Sequence, residues 1–174
     1  SDVVVVADSA NWKVGIPALT TSLRGLVDAV VQVDVLEHSV HSGMFGGPVL
    51  DAITLLARLI ATLHADAGDV AIAGLVSGSA AALDYPEDEF RAEASVLDGV
   101  RLAGTRSIPD RLWTKPALSV IGIDAPSVEP SSNTILHSAR AQNNLRLAPG
   151  QHAPAAKNAW HANLVATHPL GSRG

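Results

Sequence analysis

Residues Leu26–Ile60 read LVDAVVQVDVLEHSVHSGMFGGPVLDAITLLARLI, and a change of rhythm inside this stretch decides the fold. Across Leu26–Leu36, Val27, Ala29, Val31, Val33 and Val35 fall on one side. Leu26, Asp28, Val30, Gln32, Asp34 and Leu36 fall on the other, which is the two-residue period of a half-buried strand. From Pro48 the period lengthens. Val49, Ala52, Ile53, Leu56, Leu59, Ile60 and Leu63 share one helical face, and Pro48 suits a first turn. His38–Pro48 therefore links a strand to a helix.

Working outward, "HADAGD" (64–69) ends that helix, with Gly68 expected as its left-handed cap, and "VAIAGL" (70–75) reads as a short strand. The segment 80–112 is acidic and reads as a helical insertion; Glu87, Asp88 and Glu89 suit a helix start. Lys115–Ile123 and Thr134–Leu147 are expected strands, and Pro154–His168 a second helix. Upstream, Val3–Ala7 is a β-branched run typical of a strand covered on both faces, and Asp8–Pro17 a turn-rich link. The expectation is one α+β domain over 1–174. It has an antiparallel sheet with two helices on one face, a ferredoxin-like two-layer sandwich, with 1–17 as a flanking strand and link and 80–112 as the insertion.

Composition narrows the function. The chain is 47% hydrophobic but only 3% aromatic, so its core is mostly aliphatic. A net charge of −5 and the lack of any basic run argue against nucleic-acid binding. No apolar run approaches the ~18 residues that span a bilayer. The absence of cysteine excludes disulfides and thiolate metal sites and suits a cytoplasmic protein.

The histidines are ambiguous from local pattern. His38 and His41 lack the third and fourth ligands that zinc requires. His64-Ala65-Asp66 is formally an H-x-D pair, but at a helix end. The turn "HSGMFGGP" places small residues before a helix, where free N–H groups favour an anion. A plain turn histidine fits the same residues.

Four stretches carry a resemblance. Pro17–Leu75, with R-G-L followed by H-S-G-x-x-G-G-P, resembles the lid or dimerisation domain of the co-catalytic zinc metallopeptidases. That family includes carnosinase-type dipeptidases, aminoacylases and succinyl-diaminopimelate desuccinylases. The likeness continues through "DRLWTKPALSVIGID" (110–124), "SSNTILHSARA" (131–141) and "LRLAPGQ" (145–151). It implies a homodimer whose missing catalytic domain holds two zinc ions, with none bound by this fragment, and a peptide or acyl-amino-acid substrate. It implies that His41 reaches across the dimer to stabilise an oxyanion. Thr134 and Arg146 match residues that hold the substrate backbone and terminal carboxylate, with Asn133 assisting; Arg146 suits its role as a two-pronged donor. Asp8 matches one zinc-binding aspartate, useful only in a full enzyme. The other metal ligands and the general base are absent.

The sequence departs from relatives at His137, Asn143, Trp160 and His161. On the expected helix-facing side of Thr134–Leu147, His137 and Asn143 interrupt an apolar series. Three readings stay open. One is an assembly and substrate-contact lid that is not catalytic alone. A second is a re-engineered domain with a polar or histidine-based site for ligand binding or hydrolysis at those four residues. A third is an interaction domain that pairs through a sheet edge.

Overall fold

The computed structural model describes residues 12–80 and 82–167. The expected strand Val3–Ala7 and the candidate ligand Asp8 lie outside the described residues.

Three antiparallel strands form the sheet: β1 (Gly25–Asp34), β3 (Ala117–Asp124) and β5 (Ser138–Leu147), in the order β1–β5–β3. A smaller ladder joins β2 (Val40–His41) to β4 (Thr134–Ile135). The alternation read in Leu26–Leu36 holds in β1, with Val31 and Val33 buried and Val30 and Gln32 exposed. The strand ends two residues early, because the N–H groups of Val35 and Leu36 both turn to the carbonyl of His137. That same contact breaks the expected Thr134–Leu147 strand. Leu136 and His137 leave the ladder, and the Leu136 carbonyl accepts instead from Ala52 N–H. The interruption splits the run into β4 and β5.

Among the described residues four helices accompany the strands: α1 (Ser42–Phe45), α2 (Ala52–Ala61), α3 (Glu87–Glu93) and α4 (Ala153–Ala166). Helix α2 begins at Ala52 rather than at Pro48. Asp51 is its cap and accepts from Thr54 N–H at 2.8 Å and Thr54 Oγ1 at 2.6 Å, satisfying a donor the first turn leaves free. Gly68 is left-handed at φ +87° but does not cap α2, which ends at Thr62. It sits in the tight turn that brings His64 opposite Val70, and a Cβ there would lie 2.6 Å from that of Ala103. "VAIAGL" is not a strand: beyond the single bridge at Val70, Ala71 N–H bonds back to the Leu63 carbonyl at the end of α2.

Helices α2 and α4 cover one face of the sheet, as the α+β expectation required. Leu55, Leu56 and Leu59 of α2 and Ala156 and Trp160 of α4 meet Val31, Val33, Ala139, Ala141, Leu145, Leu147 and Leu118. Each fully buried aliphatic side chain contributes roughly 1.5–3 kcal/mol, so this interface carries the stability of the domain. The insertion holds one helix, α3, with Glu87, Asp88 and Glu89 in its first turn as the charge pattern implied, and a π-helical turn at Asp110–Thr114. It is fastened by Lys115, whose ammonium bonds Asp69 and, at 3.1 Å and 3.2 Å, the hydroxyl and carbonyl of Thr105.

Candidate functional site

His41 ends β2, directly opposite Thr134 of β4. The next residue ties the pair tighter: Ser42 N–H donates to the Asn133 carbonyl at 2.9 Å. Thr134 is held by Ser132 through a 2.8 Å hydroxyl–hydroxyl contact and a 2.8 Å backbone bond. Backbone pairing therefore brings His41 beside Asn133 and Thr134, distant in sequence, and all three are exposed. His41 also caps α1, its Nδ1 accepting from Gly43 N–H at 3.1 Å. It is exposed, as expected of a loop histidine, but it has a structural partner that the sequence pattern did not reveal.

Arg146 is exposed on β5, opposite Leu26 and Ala117. Eight residue steps along β5 separate it from Ser138, roughly 27 Å at strand spacing. The β2–β4 cluster is attached beyond Ser138, at the other end of the sheet. Arg146 thus stands apart from the other three candidates. Its neighbour in charge is Arg24, whose pKa lies below the ordinary guanidinium value through partial burial and then through the positive charge of Arg146. Two arginines in one field make that end of the sheet attractive to a carboxylate. Arg24 was visible in the sequence only as part of the R-G-L signature, with nothing in the local pattern to give it a role.

The remaining candidates scatter. His38 is exposed. His64 is half-buried, with Nε2 3.3 Å from the Leu118 carbonyl. His137 is exposed on the β2–β4 side, where Nδ1 meets Ser39 Oγ at 2.9 Å. Asn143 is buried among the core residues: the sheet does not rotate it outward, although β3 bulges between Val120 and Gly122 beside it. Its Nδ2 donates to the Ala141 carbonyl at 3.2 Å and its Oδ1 has no partner. Trp160 is equally buried, its indole N–H unpaired. Together with the exposed His161, Trp160 lines a largely apolar groove of about 270 Å³ beside β1, also bordered by Val30, Lys157 and Leu164. The four departures thus do not converge: one joins Ser39, one is core, and two border the groove.

Among the described residues no helix is long and apolar enough to cross a membrane. No group of three or more His, Cys, Asp or Glu side chains among them is placed to hold a metal.

A three-stranded antiparallel sheet backed on one face by two helices, with His41, Asn133 and Thr134 at one end and Arg24 and Arg146 at the other, defines a two-layer α+β sandwich. Solved structures share this fold. Human carnosine dipeptidase 1 superposes with a TM-score of 0.68 at 21% identity, covering 90% of this chain and 38% of that one. A metallo-carboxypeptidase of Sulfolobus solfataricus gives 0.67 at 22% identity, covering 84% and 41%. The family model described as the peptidase dimerisation domain matches residues 21–171, and the chain belongs to that family. Among curated relatives, the cysteinylglycine-S-conjugate dipeptidase of Corynebacterium striatum is 38% identical over 176 residues, 99% of this chain and 39% of that enzyme. The Beta-Ala-His dipeptidase of Rattus norvegicus is 25% identical over 78% of the chain and 29% of its own length. The chain thus spans well under half the length of these relatives.

Proposed function

We propose that this chain is the lid and dimerisation domain of a zinc-dependent dipeptidase or aminoacylase-like hydrolase of the cytoplasm. It supplies substrate contacts and a homodimer interface, and is not catalytic alone. The observation that carries the reading is the split between its two functional ends. A dipeptide extends only about 7 Å, whereas the His41–Thr134 cluster and Arg146 lie at opposite ends of a sheet whose central strand alone runs roughly 27 Å from Ser138 to Arg146. One lid does not close both ends on one substrate. A two-fold pair of lids does, when His41 of one protomer faces the carboxylate held by Arg146 of the other.

In that arrangement the His41 imidazole donates to the oxygen of the scissile carbonyl as negative charge builds there. Thr134 and Asn133 bond the substrate backbone, and Arg146, with Arg24 beside it, holds the terminal carboxylate. The described residues do not themselves make a zinc site, so no step is routed through the metal, which this reading assigns to a catalytic domain outside the chain. The scattered positions of His137, Asn143, Trp160 and His161 favour no separate installed site.

The test is subunit complementation in the full-length enzyme. His41→Ala and Arg146→Ala variants are each expected to lose activity on dipeptides. Mixed and allowed to exchange, they should recover about a quarter of wild-type activity, because half the dimers are then hybrid and each hybrid keeps one intact composite site. No recovery, despite hybrids being present by mass spectrometry, would overturn the shared site.

A further inference from the structure

We infer that Gly43 is a positioning residue for His41: its backbone amide fixes the imidazole as the Nε2–H tautomer, and its missing side chain makes room for the ring. The inference deepens the proposed function and rests on it for the catalytic use of the tautomer, though not for the tautomer itself.

Two observations carry it. The first is the 3.1 Å bond from Gly43 N–H to His41 Nδ1. A backbone amide only donates, so Nδ1 must present its lone pair, and a neutral imidazole then carries its single proton on Nε2. The group proposed to stabilise an oxyanion must be a donor, and Nε2–H is the donor left on this exposed ring. The second is steric. A Cβ on residue 43 would lie 3.0 Å from His41 Cε1 and 3.2 Å from Nδ1, tighter than ordinary contacts. Cε1 adjoins Nε2, so a side chain there would push the donor off its line as well as strain the amide bond. The backbone of Gly43 lies outside the left-handed region. An alanine at this position is therefore opposed by the ring and not by its own conformation. The glycine of H-S-G thus serves the histidine two residues before it.

The isolated chain, labelled with nitrogen-15 in its seven histidines, permits a direct test. At about pH 8.5, two units above the ordinary histidine pKa, the ring signals that vanish in His41→Ala identify His41. The expected result is a pyridine-type Nδ1 and a pyrrole-type Nε2. Gly43→Ala should bring the two nitrogen shifts towards the mixed values of free imidazole, with circular dichroism unchanged, while Ser42→Ala leaves them as in wild type. A proton on Nδ1 in the wild-type chain, or free-imidazole shifts there, overturns the inference even if Gly43→Ala does not fold. Unchanged ring shifts in a folded Gly43→Ala overturn it too. Failure of the complementation experiment removes the catalytic use and leaves the tautomer result standing.

Discussion

His41 and Asn143 show how little a residue's type reveals until its surroundings are known. His41 has no apolar surface to cover, so His41→Ala removes only the α1 cap from this chain. The expected loss is no more than about 1 kcal/mol, read by urea denaturation; a loss of several kcal/mol would show that the ring is structurally embedded. In the complete enzyme the same change should lower turnover on the order of a hundredfold. Asn143 is the reverse case. It is wholly buried with Oδ1 unpaired, a desolvation cost of about 1–3 kcal/mol. Asn143→Val should therefore raise the unfolding free energy by about 1 kcal/mol, and a destabilised variant would mean that Oδ1 has a partner, such as a buried water. The β period correctly put Asn143 on the helix-facing side. Only the packing of α2 and α4 shows that the sheet keeps it there.

Strands and helices were legible where one period ran unbroken. β1 and α2 follow from the alternation of Val27–Val33 and the helical spacing of Ala52–Leu59. The break at Leu136–His137 was hidden, because it depends on Val35, Leu36 and Ala52 reaching carbonyls about a hundred residues away in the chain. The His41–Thr134 pairing was hidden for the same reason: non-local ladders leave no mark on local composition. The insertion was legible as acidic but not as fastened. Asp69 sets its attachment. Partial burial raises the Asp69 pKa, but hydrogen bonds from Lys115 and Thr105 outweigh this and leave it below the ordinary carboxylate value. A depressed folded pKa means that the unfolded chain takes up the proton first. This contribution is complete above about pH 4, the unfolded value, and fades as the pH falls through the folded one. Asp69→Asn should destabilise the domain at neutral pH and flatten the loss of stability below about pH 4, as followed by denaturation at a series of pH values. An acid profile identical to wild type would remove the latch from this account.

At the level of the whole molecule, the sheet ends in two strands, β1 and β3, each paired on one side only among the described residues. Val120, Ile121 and Ile123 of β3 and Leu26 and Val30 of β1 are exposed apolar side chains along them. With the peptidase dimerisation family as context, sedimentation at tens of micromolar should give twice the 17.9 kDa of one chain; a monomer at that concentration would count against the composite site. The aromatic residues have a separate, optical consequence. The chain has three tryptophans, one tyrosine and two phenylalanines. Trp12, Tyr85, Phe90 and Trp113 stack edge to face where the link before β1 meets the insertion, with Trp12 and Trp113 centred 5.4 Å apart, while Trp160 lies alone in the core. Two of the three tryptophans and the one tyrosine therefore sit at this junction, and the third tryptophan sits in the α2–α4 core. Light emitted by this protein thus carries a report from the seam between its inserted segment and its incoming chain alongside the report from the sandwich core.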